Sequence, residues 1–205
     1  MAVTAAARQE DAPGHSLGAE VRALRKVKGM TLVALAEKTG KSIGYLSQVE
    51  RDITMPSVKV LQEIGDALGV DSGWFHPPGE ADPRESRYVV RARNRRRLAY
   101  SKLGYADYLG MTDYLLSPNL EGRLAIGITR LEPGGSTGDD PYTHEGEDAG
   151  YVLEGRLELT IDGETFVLEA GDSYTFASHL PHRFYNPTRD DAVFLWAISP
   201  ITLHY

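Results

Sequence analysis

No cysteine occurs in the chain, which excludes disulfides and thiolate-held metals and fits a cytoplasmic setting. No apolar run is long enough to cross a bilayer, and no charged-then-apolar leader is present, so neither a membrane span nor export is expected. Positive charge is in short supply: 22 Lys and Arg stand against 29 Asp and Glu, a net charge of -7. Spread evenly, that sign would repel nucleic acid. It is not spread evenly. Residues 102–205 carry 17 acidic and 6 basic side chains, residues 16–76 carry 7 and 8, and residues 77–101 carry 3 and 7. Such asymmetry separates a part that can approach phosphate from a part that must stay away. Apolar residues make up 41% of the 205 positions, enough for two small cores.

Residues 1–15 are alanine-rich, contain Pro13 and Gly14, show no apolar period and read as a mobile tail. Residues 16–76 read as helices. Ser16 can cap a helix whose stripe is Leu17, Val21, Leu24 and Lys28, closing at Gly29. T-L-V-A-L-A-E-K-T places Leu32, Leu35 and Ala36 at helical spacing and stops at Gly40. Ser42 can cap the next helix, S-I-G-Y-L-S-Q-V-E-R. Leu46 and Val49, with Tyr45 beside them, lie on one face of it; Ile43, Gly44, Ser47, Gln48 and Arg51 lie on the other. That second face is not a core face. Pro56-Ser57 opens a fourth helix through Leu61, Ile64, Gly65 and Leu68, ending at Gly69, and Asp71 to Phe75 suits a last short turn.

Two short helices meeting at Gly40 and Lys41 have the layout of a helix-turn-helix, whose second helix enters the major groove. Gln48 can pair with adenine, Ser42 with either type of base edge, and Ile43 with a thymine methyl. Lys41 and Arg51 flank the face and suit phosphates. A Ser-capped surface helix carrying one Gln is the bland alternative. The segment from Leu17 to Phe75, with V-R-A-L-R-K-V-K-G-M-T, L-A-E-K-T-G-K-S-I-G-Y-L-S-Q-V-E-R and P-S-V-K-V-L-Q-E-I-G-D-A-L-G-V, resembles the XRE (Cro/repressor-like) family. The resemblance implies an all-α bundle of about five helices and base reading by Ser42, Ile43, Gly44 and Gln48. Asp52 departs from the pattern, standing where the family commonly has Gly at positive φ, a region that Asp visits more readily than most residues.

Residues 77–101 read as a basic linker: Pro77, Pro78, Gly79 and Pro83, then Arg91, Arg93, Arg95, Arg96 and Arg97. The arginines suit an electrostatic hand on DNA, a solvated strand edge, or partners for the acidic half. From Gly110 the period becomes that of strands. M-T-D-Y-L-L, L-A-I-G-I-T-R-L, Y-V-L, R-L-E-L-T-I, T-F-V-L, S-Y-T-F, R-F-Y-N and V-F-L-W-A-I are separated by turn signals, among them the hairpin pair Asp162-Gly163. So many short strands indicate a sandwich or small barrel.

H-E-G-E-D-A-G-Y-V-L-E-G (144–155) and G-D-S-Y-T-F-A-S-H-L-P-H-R-F-Y-N (171–186) resemble the two motifs of the cupin family. The resemblance implies an all-β cupin barrel (double-stranded β-helix, or jelly roll) over residues 102–205. It also implies a metal set of His144, Asp148 and His182 for a divalent ion such as Fe, Zn, Ni or Mn. Tyr142 holds the place of the family's first histidine, and Ala177 and His179 stand where Pro and Gly are usual. Tyr142, Glu147, Tyr151 and His179 are then candidates for ligand recognition, and Tyr151, Tyr174, Phe184 and Trp196 for walls or core. Two imidazoles and a carboxylate can hold one face of an octahedral metal; a polar pocket without metal is the alternative. The two-domain combination resembles bacterial transcriptional regulators, implying as partners a double-stranded DNA operator, a small-molecule effector and a second copy of the chain in a homodimer. A non-haem iron epoxidase acting on hydroxypropylphosphonate combines the same domains and is the enzymatic alternative, though a phosphonate needs several cationic partners and the acidic half has few.

Overall fold

The structure is a computed structural model, and it describes residues 16–70, 72–75, 88–98 and 110–201. The tail (1–15) and most of the expected linker lie outside them. Four α-helices come first: α1 (Leu17–Val27), α2 (Leu32–Thr39), α3 (Ile43–Glu50) and α4 (Val58–Leu68). Each starts on a hydroxyl cap. Ser16, Thr31, Ser42 and Ser57 accept the N–H groups of Ala19, Ala34, Tyr45 and Val60, satisfying donors that a helix start leaves orphaned. Gly40 and Gly69 end α2 and α4 at φ +65° and +67°, where an L side chain is strained. The expected fifth helix is a single 3₁₀ turn, Ser72–Phe75. Trp74 and Phe75 within it are buried against the bundle.

Val21, Leu24, Leu35, Leu46, Val49, Ile64 and Leu68 fill the bundle. A buried ion pair fixes α3 on α1. Arg25 donates to Glu50 at 2.5 and 2.9 Å and to the Met30 carbonyl at 2.8 Å, so both charges are paired and the fork is filled.

The second half is antiparallel throughout. A six-stranded sheet runs β1-β2-β3-β9-β4-β7 and a three-stranded sheet β6-β5-β8. The strands are β1 (Arg96–Leu98), β2 (Met111–Leu115), β3 (Ala125–Leu131), β4 (Glu147–Glu154), β5 (Arg156–Ile161), β6 (Glu164–Glu169), β7 (Ser173–Ala177), β8 (His182–Tyr185) and β9 (Ala192–Ser199). The β5–β6 hairpin turns through Asp162 and Gly163, both at positive φ. Alternation sets the interior: Phe194, Trp196 and Ile198 of β9 face in with Asp148 and Val152 of β4 and Tyr174 and Phe176 of β7. Two glycines admit the large rings. A Cβ on Gly127 would stand 2.0 Å from the Trp196 ring, and one on Gly150 would stand 2.2 Å from that of Tyr174.

The arginine run is not all linker. Arg96–Leu98 pairs with β2, and Leu98 forms a further antiparallel bridge to Val70 at the end of α4. Arg96 forms a salt bridge with Glu20 of α1 and lies over the Trp74 ring at 5.4 Å. Those side-chain contacts engage Arg96 alone; Arg91, Arg93, Arg95 and Arg97 are exposed.

Candidate functional site: an exposed helix face and a buried triad

Helix α3 presents Ile43, Gly44, Gln48 and Arg51 to solvent, with Ser47 half-buried, while Leu46 and Val49 are buried. The outer face stays polar because the inner face already supplies the helix's share of the core. Nothing lies within 4 Å of where a Gly44 side chain would begin, so the backbone there is open to close approach. Gln48 accepts the Thr54 hydroxyl at 3.1 Å, which holds its carboxamide outward from the turn after α3. Sequence reasoning passed over Thr54, a residue in a turn with no periodic signal. Ser42 is engaged as the cap, accepting Tyr45 N–H at 3.2 Å. Arg51 donates to the Ser47 carbonyl at 3.1 Å. Lys41 differs from expectation: its ammonium lies 2.8 Å from Glu63 of α4, which neutralises part of its pull on phosphate.

Within the barrel, Asp148 of β4, His182 of β8 and His144 of the segment before β4 come together. One ligand atom from each lies within 4.8 Å of the others, and all three residues are buried. Tyr142 and His182 exchange both backbone hydrogen bonds, at 3.0 Å each, which places His182 beside the segment carrying His144. The Nδ1 of His182 faces the Leu180 carbonyl at 2.8 Å and that of His144 the Glu145 carbonyl at 3.1 Å. A carbonyl can only accept, so each Nδ1 carries a proton, and His182, kept neutral by burial, presents a lone pair at Nε2. The His144 Nε2 stands 3.8 Å from Asp148 Oδ2, too far for a hydrogen bond. His182 Nε2 and Asp148 Oδ1 are buried with no hydrogen-bond partner among the described residues.

Burial pushes the Asp148 carboxyl up to about 7. Burial also holds His182 down to about 4, opposed by the Leu180 carbonyl and aided by the nearby His144. Lone pairs converging in a buried space call for a cation. The donor set therefore fits a divalent metal of the imidazole-and-carboxylate kind. Asp148 also borders a void of about 20 Å³, lined further by Asp113, Tyr142, Tyr174 and Trp196. It is large enough for one water or ion. Thr129 donates to Asp113 and accepts the Trp196 indole N–H at 3.0 Å.

The four residues expected to recognise a ligand are not brought together. Tyr142 lies inside, its ring centroid 4.3 Å from that of His182. Glu147 and Tyr151 are exposed because they alternate with Asp148, Gly150 and Val152 and so face away from the interior. His179 is exposed in the turn after β7. Among the expected walls, Tyr174, Phe184 and Trp196 are buried and Tyr151 is not.

A helix-turn-helix model matches residues 21–75 and a cupin-domain model residues 127–198. Over 190 residues the chain is 28% identical to the HTH-type transcriptional regulator PuuR of Escherichia coli K12, across 92% of this chain and 97% of that one. It is 26% identical over 176 residues to the HTH-type transcriptional regulator SutR of the same organism, across 83% of this chain and 86% of that one. A solved HTH_3 family transcriptional regulator from Vibrio cholerae is 25% identical, with a TM-score of 0.43, over 89% of this chain and 94% of that one.

Proposed function

We propose, for a chain that belongs to the XRE-type helix-turn-helix transcriptional regulators carrying a cupin domain, that α3 reads an operator in the major groove and the barrel behind it senses a small molecule. The observation that carries the reading is the outward face of α3, with Ile43, Gly44 and Gln48 exposed on a helix whose other face is buried. Gln48 pairs with adenine, Ile43 meets a thymine methyl, Ser42 and Ser47 add hydroxyls, and Arg51 with Lys41 positions the helix on phosphate. No described helix is long and apolar enough to cross a membrane.

Sensing is assigned to the interior around His144, Asp148 and His182. A divalent metal held there would supply open coordination positions for an oxygen-bearing effector. Tyr142, Tyr174 and Trp196 shape the space around it. The effector acts only through unequal affinity for two arrangements of the protein.

Two recognition helices on half-sites one helical turn apart require a dimer. The outer face of the six-stranded sheet suits that role. Ile126, Tyr151 and Leu153 are exposed on it, and Ile128, Val193 and Leu195 lie between them, where alternation normally places polar residues. The phosphonate epoxidase alternative finds less support, since the residues lining the interior void include two carboxylates and no Lys or Arg.

The test is binding to duplexes from upstream of the chain's own and neighbouring genes, with and without candidate metabolites. Selective binding to one duplex, altered by one metabolite, is the expected result. Equal affinity for every duplex would overturn the regulatory reading.

A further inference from the structure

Helix α1 has two working faces. Val21 and Leu24 are fully buried in the bundle. The adjoining face, Ala19, Arg22, Ala23 and Lys26 at helical spacing, borders a cleft of about 440 Å³. Leu120 and Glu121, from the connection between β2 and β3, form its opposite side. Small-molecule sites run to roughly 300–1,000 Å³, and this cleft falls in that range.

The charges on α1 divide in two. Glu20 holds Arg96, and Arg25 holds Glu50 and the Met30 carbonyl. Among the described residues, no ion pair or side-chain hydrogen bond engages Arg22 or Lys26, and both are exposed. They stand one turn apart over a low floor: Ala19 and Ala23 are small, and Val27 and Leu120 are buried and apolar. Of the two acids at the cleft, Glu50 is committed to Arg25, which leaves Glu121 on the far rim.

Two uncommitted cations above an apolar floor select an anion with a hydrocarbon body. The facing Glu121 disfavours a second negative charge on it. We infer that the cleft between α1 and the β2–β3 connection binds a small organic monocarboxylate. Its carboxylate is held by Arg22 and Lys26, and its apolar body lies on Ala19, Ala23, Val27 and Leu120. The guanidinium fork of Arg22 suits both carboxylate oxygens. This site is separate from the barrel, and it stands whether or not the barrel binds an effector. The rival role for Arg22 and Lys26 is contact with DNA phosphate.

The experiment is calorimetric titration of the full chain with sodium hexanoate, sodium phenylacetate and, for comparison, inorganic phosphate. At least one of the two carboxylates is expected to saturate at one per chain, and phosphate is not. Arg22→Gln and Ala23→Trp, the latter filling the cleft, should each weaken that binding about tenfold or more. Lys59→Gln, which removes an exposed cation on α4, should leave it unchanged. Melting temperatures within about 2 °C of the parent show that the variants are folded. The inference is overturned if neither carboxylate saturates, if phosphate binds equally well, or if folded Arg22→Gln and Ala23→Trp proteins bind as the parent does. It is also overturned if Arg22→Gln leaves carboxylate binding intact while lowering affinity for random duplex and its salt dependence, the signature of a phosphate contact.

Discussion

The carboxylate of Asp52, a residue held at φ +55°, accepts the backbone N–H of Gly18 at 2.8 Å. The turn that ends α3 thereby caps the start of α1, and Gly18 is small because a Cβ would stand 2.3 Å from the Val49 carbonyl oxygen. Glycine at position 52 would suit the backbone but could not cap. Asp52→Ala, which keeps the strain and loses the acceptor, should cost about 1–2 kcal/mol. Asp52→Gly should cost less, because it relieves the strain. Gly18→Ala should be the most damaging, since the contact is with backbone that cannot yield. Urea unfolding of the three variants gives the order, and an Asp52→Ala protein as stable as the parent would remove the cap from the account.

The pair that joins α1 to α3 makes a second stability prediction. Arg25→Met should cost about 3–5 kcal/mol by leaving Glu50 buried and alone, and Arg25→Met with Glu50→Leu should recover much of that. A double variant no better than the single one would show that the ion pair itself, rather than relief of an orphaned charge, holds the helices.

Gln48→Ala should weaken binding to the preferred duplex by about 1–3 kcal/mol and leave random duplex unaffected. Arg51→Ala should weaken both alike and lower the salt slope by about one. Equal losses for Gln48→Ala on both duplexes, measured by fluorescence anisotropy, would place Gln48 outside base reading.

Protein stripped by chelator and then supplied with Fe, Zn, Ni or Mn should retain close to one ion per chain after dialysis, read by elemental analysis. His144→Ala and His182→Ala should each abolish retention, since two donors of three cannot hold the ion against dialysis. Retention unchanged in both variants would move the metal elsewhere.

Tyr151→Glu places a charge on the outer face of the six-stranded sheet, where Tyr151 is 45% exposed. Light scattering should show dimer for the parent and a shift toward monomer for the variant, with weaker operator binding as a result. A variant that stays dimeric would assign the interface to another surface.

The helical half was legible because its signals are local. A hydroxyl cap and a 3.6-residue stripe fix each helix without reference to the rest of the chain, and glycine closes α1, α2 and α4, while α3 ends in a turn at Asp52. The barrel interior was less legible because strand parity depends on where pairing starts. Strand β4 begins at Glu147, four residues before the apolar Y-V-L run that marks it in the sequence. Once Asp148 faces in, Glu147 and Tyr151 must face out. The signal that would have excluded those two as interior ligand groups was therefore present in the spacing. Neither the hydrogen bond from Thr54 to Gln48 nor that from Gly18 to Asp52 has a sequence period, since each depends on a turn's conformation.

Strand β1 is three residues long and has neighbours on both sides: β2 along its length, and Val70 through Leu98. With Arg96 tied to Glu20 and resting on Trp74, the rim of the barrel and the foot of the helical bundle share one short piece of backbone. The two halves of the protein are therefore stitched together by backbone pairing and a salt bridge as well as by the chain that runs between them.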